Sequence, residues 1–518
     1  MRLAGVTVPL PALRRERDTG IGEIFDLVPL VDWAVAAGQH LIALLPLGEL
    51  AAGETSPYNA LSTFAIDPLH LTIEEIPELA AVADTSPPAE VAGGRIDRDR
   101  VRAWKQPLLD EAFARFRRLP EGCARRRAFD SFRAENRDWL DDHALFRALY
   151  EKHGRVYWRE WPEGLRGRRP GALDAAKKWL ADAVEHERYL QFLAQEQWWR
   201  VREHARLAGV LLMGDLPFAP SGNSADVWAN RRFFDLERSV GAPPDDFSTT
   251  GQRWGLPMFR WKRMRADDWG WFRRRFRRMT DLYDLYRVDH VVGLFRTYAF
   301  RDERSGRFDP AGEGAQRAQG RELLEVALAE SGRGSIVAED LGAIPPFVRE
   351  SMADLDVPGY KVFRWERDGE RFLDPREYPE CSIATTGTHD TDTLVAWWQS
   401  LAPSERQLAA TLALGEGAAG ITAADAENLC DGLRLELVDL LYASRSRYVI
   451  LPIQDLFGWS ERINLPATIG PGNWTFRLPV PIERLDAISG ATTARVRASV
   501  DAGGRLQRMN EFVGGHDD

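Results

Sequence analysis

Three short segments of this 518-residue chain end a β-prone run in acidic side chains: Arg287-Val288-Asp289-His290, Val337-Ala338-Glu339-Asp340 and Gly387-Thr388-His389-Asp390. A single acid in such a place is more often a helix N-cap or half of a structural ion pair. Three on separate strands, two of them beside histidine, would meet at one mouth if the strands are parallel and close into a barrel. Converging carboxylates suit glycoside chemistry. That chemistry needs one ionised carboxylate below the anomeric carbon and one protonated acid beside the leaving oxygen, in environments that push their pKa values apart. Arg287, two residues before Asp289, points to the same side of its strand, and its guanidinium is expected to keep Asp289 ionised. Glu339 has no basic neighbour in sequence, so a raised pKa is expected there. Asp390 is suited to hold sugar hydroxyls and to stabilise an oxocarbenium-like transition state. His290 and His389 either donate hydrogen bonds to sugar hydroxyls or are satisfied structural histidines.

Acids and histidines at strand ends also build Mg²⁺ or two-metal hydrolase sites. Against that rival, the first strand carries no paired histidine ligands and no other histidine cluster appears, so neither a metal nor a cofactor is expected. Net charge is -10, from 68 basic and 78 acidic side chains. Nucleic acid is therefore not the expected partner, because phosphate binding needs a positive surface. Three widely spaced cysteines, Cys123, Cys381 and Cys430, suggest neither a disulfide framework nor a zinc site. The N-terminus makes a poor signal peptide, and no apolar run approaches the roughly 20 residues that span a bilayer. A cytoplasmic protein with no membrane partner is the expectation. The 18 tryptophans divide between core packing and flat platforms for sugar rings, and only their position relative to the chemistry separates the two.

The elements that must position these acids can be read from hydrophobic runs. Eight segments of strand length recur: Leu3–Pro9, His40–Pro46, Val210–Leu216, Leu285–His290, Ser335–Leu341, Tyr360–Trp365, Ser382–Thr386 and Tyr448–Ile453. Helical periodicity separates most of them, as over Ile24–Ala37, Gln316–Glu330 and Ala424–Tyr442. The alternation predicts an α/β protein, a (β/α)8 TIM barrel with large inserted helical subdomains and no C-terminal β-sandwich. The whole chain, 1–518, is then one catalytic barrel. Residues 48–206 form an insertion after the second strand, mostly helical, with a loop at Gly167 to Gly171. Residues 217–270 form an insertion and active-site loop after the third strand. The arginine run 273–278, interrupted only by Phe276, is expected to be a solvated helix face.

At its acidic segments and nearly end to end, the chain resembles the 4-α-glucanotransferases, also called amylomaltases or disproportionating enzymes, of glycoside hydrolase family 77. The resemblance runs from Gly20-Ile21-Gly22 and Ala37-Gly38-Gln39 to Ser56-Pro57-Tyr58-Asn59 and Gly214-Asp215-Leu216-Pro217. It continues through Ser224-Ala225-Asp226-Val227-Trp228-Ala229-Asn230, Pro243-Pro244-Asp245, Phe247-Ser248, Gly251-Gln252 and Trp254-Gly255. After the three acidic motifs come Gln454-Asp455, Arg462, Asn464 and Asn473-Trp474. It implies disproportionation of α-1,4-glucans through a covalent glucosyl-enzyme, with Asp289 as nucleophile, Glu339 as acid/base and Asp390 as transition-state stabiliser. It further implies substrate-site roles for Tyr58, Asp215, Gln252, Trp254, Arg287, His290, His389 and Asn464, and a mobile loop over the cleft from Pro243 to Trp254. Maltooligosaccharides, amylose or glycogen-type glucans are the implied partners. The chain departs from the family pattern at Val291-Val292, at Ile66-Asp67-Pro68 and at Asn223, positions expected to lie near substrate. An α-glucan hydrolase with the same residues, or a catalytically silent glucan-binding protein, are the alternatives.

Overall fold

The computed structural model describes residues 2–243, 251–301, 306–415, 429–466, 468, 470 and 472–505. Eight strands form one parallel sheet: β1 (Leu3–Thr7), β2 (Leu41–Ala43), β3 (Leu211–Leu216), β6 (Leu285–Val288), β9 (Ile336–Ala338), β10 (Gly359–Val362), β13 (Ser382–Thr385) and β14 (Tyr448–Pro452). They pair in the order β10-β13-β14-β1-β2-β3-β6-β9. The two ends of that order meet where the Ala338 amide donates to the Pro358 carbonyl at 2.9 Å. The sheet is a barrel, and all eight strands fall inside the expected segments, trimmed at their ends or, at β10, shifted by one residue.

Alternation along the strands makes two cores. Leu3, Leu41, Ala43, Met213, Leu285, Val337, Ile383 and Ile450 form one cluster, the filling of the barrel. Their neighbours Ala4, Val6, Ile42, Leu212, Ala338, Ala384 and Val449 join the larger cluster that packs on the helices. Among those helices are Leu27–Ala36, Glu313–Ser331 and Asp431–Tyr442; residues 424–428 of the third expected helix lie outside the described residues. Between β2 and β3 run six helices, from Arg98–Arg117 to the 27-residue Ala181–Leu207. The expected loop there is shorter than predicted, because Pro170 opens a helix that already contains Gly171. No strand follows β14 among the described residues. No described helix is long and apolar enough to cross a membrane.

Two features depart from the sequence reading. Strands β4 (Phe234–Ala242), β5 (Gln252–Phe259), β7 (Thr297–Phe300) and β8 (Gly306–Asp309) build a separate antiparallel sheet, ordered β5-β4-β7-β8, beside the barrel mouth. The arginine run is not a uniformly solvated face. It lies on the helix Gly270–Leu282, where Arg275 and Arg278 are buried among Trp271, Phe272, Phe276 and Met279. Spacings of three and four residues place both arginines on the apolar face. Arg278 donates to the Phe64 carbonyl and the Gln195 side chain, each at 2.9 Å. Arg275 donates to the carbonyls of Pro217 at 2.5 Å and Phe218 at 3.3 Å. Only Arg273, Arg274 and Arg277 face outward. The tryptophan surplus is mostly core: Trp158, Trp161, Trp198, Trp228, Trp269, Trp271 and Trp398 are fully buried.

Candidate active site

The C-terminal ends of adjacent barrel strands bring the acids together. Asp215 on β3 sits opposite Arg287 on β6, and Arg287 opposite Val337 on β9. Two residues beyond Arg287 and Val337, on the same side of each strand, come Asp289 and Glu339. Arg287 is the hub. Its Nη1 donates to Asp215 and, at 3.1 Å, to the Tyr58 hydroxyl. Its Nη2 reaches Asp289 Oδ1 at 3.1 Å and Glu339 Oε2 at 2.9 Å. Two oxygens on one nitrogen at those distances lie within about 6 Å of each other. Backbone amides complete the cradle: Phe218 N–H donates to Asp289 Oδ2 at 3.2 Å and His290 N–H to Glu339 Oε2 at 2.9 Å. Arg275, on the carbonyls of Pro217 and Phe218, anchors the peptide that faces Asp289. Gly293 completes this packing, because a Cβ there would stand 2.4 Å from the Phe218 ring.

Accessibility sorts the acids. The Asp215 side chain is 2% exposed, Asp289 19%, Glu339 21% and Asp390 44%. Asp215 is thus a support beneath the site, while the other three open to the cleft. Electrostatics sorts them differently from the sequence expectation. Burial, with Glu339 and Asp215 close by, drives Asp289 well above the ordinary carboxylate range despite Arg287. Burial also works to raise Glu339, but Arg287, the His290 amide and the hydrogen bond from Asp289 outweigh it and hold Glu339 low. Both directions run opposite to the sequence expectation. Arg287 serves both carboxyls across neighbouring strands, and the two titrate as one coupled pair.

Asp390 is built from elsewhere. The loop after β13 carries it beside His389, whose Nε2 is 3.5 Å away, and the Asn464 side-chain amide donates to its Oδ1 at 2.6 Å. Burial would raise Asp390, yet His389, Asn464 and Arg287 hold it well below the usual range, so it is ionised. The His389 ring stacks on Tyr58 at 5.3 Å, and Trp474 packs on both at 5.6 and 6.0 Å. Tyr58 in turn donates to Asp215 at 2.6 Å. On the opposite side, Trp254 meets the His290 ring edge-on at 4.8 Å, with Gln252 Oε1 3.5 Å from its indole N–H. All eleven residues singled out in the sequence are placed in or beside this cleft. Residues 244–250 of the expected covering loop lie outside the described residues. Arg287 also stands between the carboxylates where a cation would bind, and the described residues hold no group of three or more acids, histidines and cysteines able to ligate a metal.

The chain as a whole has counterparts among known proteins. The family model for 4-alpha-glucanotransferase matches residues 8–483. The chain belongs to the 4-alpha-glucanotransferase family, glycoside hydrolase family 77. The 4-alpha-glucanotransferase of Thermus thermophilus is 34% identical over 485 residues, covering 91% of this chain and 92% of that one. The corresponding protein of Chlamydia trachomatis is 32% identical over 512 residues, covering 94% and 93%. The amylomaltase of Streptococcus agalactiae, solved with acarbose, shares the fold with a TM-score of 0.86 at 24% identity, over 98% of this chain and all of that one.

Within this family frame, the departures noted in the sequence are buried except for the half-buried Asn223. Val291 and Val292 are buried, as are Ile66 and Asp67, and Asn223 accepts from the Trp158 amide at 3.4 Å. Asn464, expected at substrate, has its amide on Asp390. Sequence reasoning missed Trp474 as part of the aromatic floor, although its motif was visible. It also missed the Phe218 amide, which no side-chain pattern encodes, and Trp365, which is half-exposed just past β10 on the mouth side.

Proposed function

We propose that this chain is a retaining 4-α-glucanotransferase, in which Asp289 attacks the anomeric carbon, Glu339 is the acid/base and Asp390 stabilises the oxocarbenium-like transition state. The observation that carries it is the pair Asp289–Glu339 on a single arginine nitrogen, at 3.1 and 2.9 Å. Retention needs carboxyls about 5–5.5 Å apart, whereas inversion needs about 6.5–9.5 Å to admit a water between them. Oxygens held within about 6 Å of each other by one nitrogen fall short of the inverting range.

The proton then has a defined path. In the free enzyme it rests on Asp289, beside Glu339. A glucan entering above Asp289 places its glycosidic oxygen beside Glu339, and proton transfer between the two carboxyls leaves Asp289 ionised and Glu339 protonated. Glu339 protonates the leaving oxygen as Asp289 forms the glycosyl ester. It then takes the proton from the 4-hydroxyl of the acceptor sugar that attacks the ester, restoring the pair. Tyr58, His389 and Trp474 make a floor for one sugar ring, and Trp254 with Gln252 the facing wall. His290 lies between Trp254 and Glu339, and Asp215 with Arg287 holds the charge balance beneath.

Donor and acceptor are maltooligosaccharides, amylose or glycogen-type glucans, and the setting is cytoplasmic. The segments 48–206 and 217–270 are insertions on one catalytic barrel, and the stretch around 243–254 excludes water from the ester. Product analysis tests this: maltotriose alone should yield glucose and a ladder of longer maltooligosaccharides. Finding only shorter products, with no chain longer than the substrate, would establish a hydrolase and sink the proposal.

A further inference from the structure

Asp455 stands in the first turn of the short helix Ile453–Phe457 that follows β14, and it is 1% exposed. It is too deep to touch a sugar. Both of its oxygens are nevertheless committed. Oδ2 accepts from the Thr386 hydroxyl at 2.5 Å and Oδ1 from the Leu394 amide at 2.7 Å. Those two partners are the two ends of one excursion: Thr386 follows β13, Leu394 opens the helix Leu394–Ser400, and between them lie His389 and Asp390.

A carboxylate that only capped the helix would need one oxygen on the Leu394 amide. The second oxygen, on Thr386, ties the departure point of the loop to its return point. The surrounding arginines stiffen this knot. Arg364 donates to the Thr386 carbonyl and Arg434 to the Asp455 carbonyl, each at 3.0 Å. Nearer the tip, Arg462 bonds Asp392 at 2.7 Å and the Asp390 carbonyl at 2.9 Å. Within the tip, the Asp390 amide reaches the Thr388 hydroxyl at 3.3 Å, the Thr388 amide the Thr391 hydroxyl at 3.0 Å, and the Thr391 hydroxyl and amide the Thr388 carbonyl at 3.0 and 3.2 Å, while Asn464 holds the Asp390 carboxylate from outside at 2.6 Å. Orientation of Asp390 therefore depends on how its loop is anchored.

We infer that Asp455 is a positioning residue for the transfer reaction: by fixing both ends of the 386–394 loop at once, it holds Asp390, and His389 with it, at the angle the cleft requires. The inference rests on the proposed role of Asp390. A buried charge with no contact to substrate costs desolvation that a well-packed apolar residue would not, and a position held to within a fraction of an ångström is the return on it. Misplacement of a reacting group by about 1 Å can lower turnover on the order of 100-fold.

Steady-state kinetics on maltotriose test this, with variants Asp455→Ala, Asp455→Asn, Thr386→Val, Asp390→Asn and the double variant Asp455→Ala/Asp390→Asn. Asp455→Ala should lose on the order of 100-fold in kcat with little change in KM. Asp455→Asn keeps an oxygen for the Leu394 amide and offers an N–H to the Thr386 hydroxyl, so it should stay within about tenfold of the parent enzyme. In the Asp390→Asn background, Asp455→Ala should cost little more, because it acts through the residue already removed. A full multiplicative loss in that background, or an unchanged kcat for folded Asp455→Ala, would overturn the inference. If Asp455→Ala does not fold, Thr386→Val carries the same comparison, having lost one hydroxyl. A near-parental Asp390→Asn enzyme would instead refute the role of Asp390, a result the single variant alone makes visible.

Discussion

Replacing Arg287 by methionine removes the guanidinium while keeping an unbranched stem of similar reach. The carboxyls of Asp289 and Glu339 then lose a cation at 3.1 and 2.9 Å. An opposite charge that close typically lowers a carboxyl pKa by about 1–3 units, so the apparent values of the pair should rise by about that much. The acidic limb of kcat/KM, which reports the free enzyme, should move upward by the same amount. Stability should follow with a definite sign. Asp289 already has a folded pKa above its ordinary 3.8. Above that ordinary value the native state binds more protons than the unfolded chain, and stability falls as pH rises. The substitution enlarges this loss. It also removes the contribution of Glu339, whose lowered pKa stabilises the fold above its ordinary 4.5 and is lost on acidification. The Glu339 part of the deficit grows as pH rises through its lowered folded pKa and the Asp289 part only above its raised one, each by about 1.4–4 kcal/mol. Denaturant melts and kcat/KM on maltotriose across roughly pH 4 to 9 measure both quantities. An unmoved acidic limb, or a deficit equal at every pH, would mean that Arg287 is packing alone and would refute the shared-cation argument.

Two further substitutions probe the remaining roles. Asp289→Asn should lower turnover by about three orders of magnitude or more with the fold intact, and a rate near that of the parent enzyme would refute the nucleophile assignment. Tyr58→Phe loses the 2.6 Å bond to Asp215 but keeps the ring stacked on His389, so kcat/KM should fall about tenfold. Tyr58→Ala should fall much further, and equal losses for the two would show that the ring face does not matter.

The barrel was legible because parallel strands buried on both faces read as short apolar runs. The β5-β4-β7-β8 sheet was not, because β4 is half-exposed and mixed in composition, with Asp235, Glu237 and Arg238 among its apolar residues. Arg275 and Arg278 were misread because composition was weighed over position. Their spacing from Trp271 and Phe272 places them on the buried face, where a guanidinium can satisfy the backbone carbonyls of a loop. In the site, the three acids and Arg287 could be found from strand ends and motifs. Their protonation order could not. Glu339 has no basic neighbour along the chain, but the β6–β9 register puts Arg287 beside it, and a sequence carries spacing within a strand, not register between strands. The bond from Asn464 to Asp390 is illegible for the same reason: 74 residues separate the two.

The shared arginine becomes intelligible once the whole cycle is considered. On the proposed roles, the free enzyme holds a protonated Asp289 against an ionised Glu339. The substrate complex holds an ionised Asp289 and a protonated Glu339. The covalent intermediate holds a neutral ester at Asp289 and an ionised Glu339. Each state has one anion in the pair, on Glu339 in the free enzyme and the intermediate and on Asp289 in the substrate complex, and both carboxyls lie within reach of the same Nη2. A cation dedicated to Asp289 alone would stabilise the substrate complex and leave Glu339 uncompensated in the intermediate, which would favour collapse back to the donor. A guanidinium bonded to both oxygens follows the charge without moving, at no reorganisation cost. It also leaves the ester long-lived enough for a sugar, positioned by the aromatic floor, to reach it before water does.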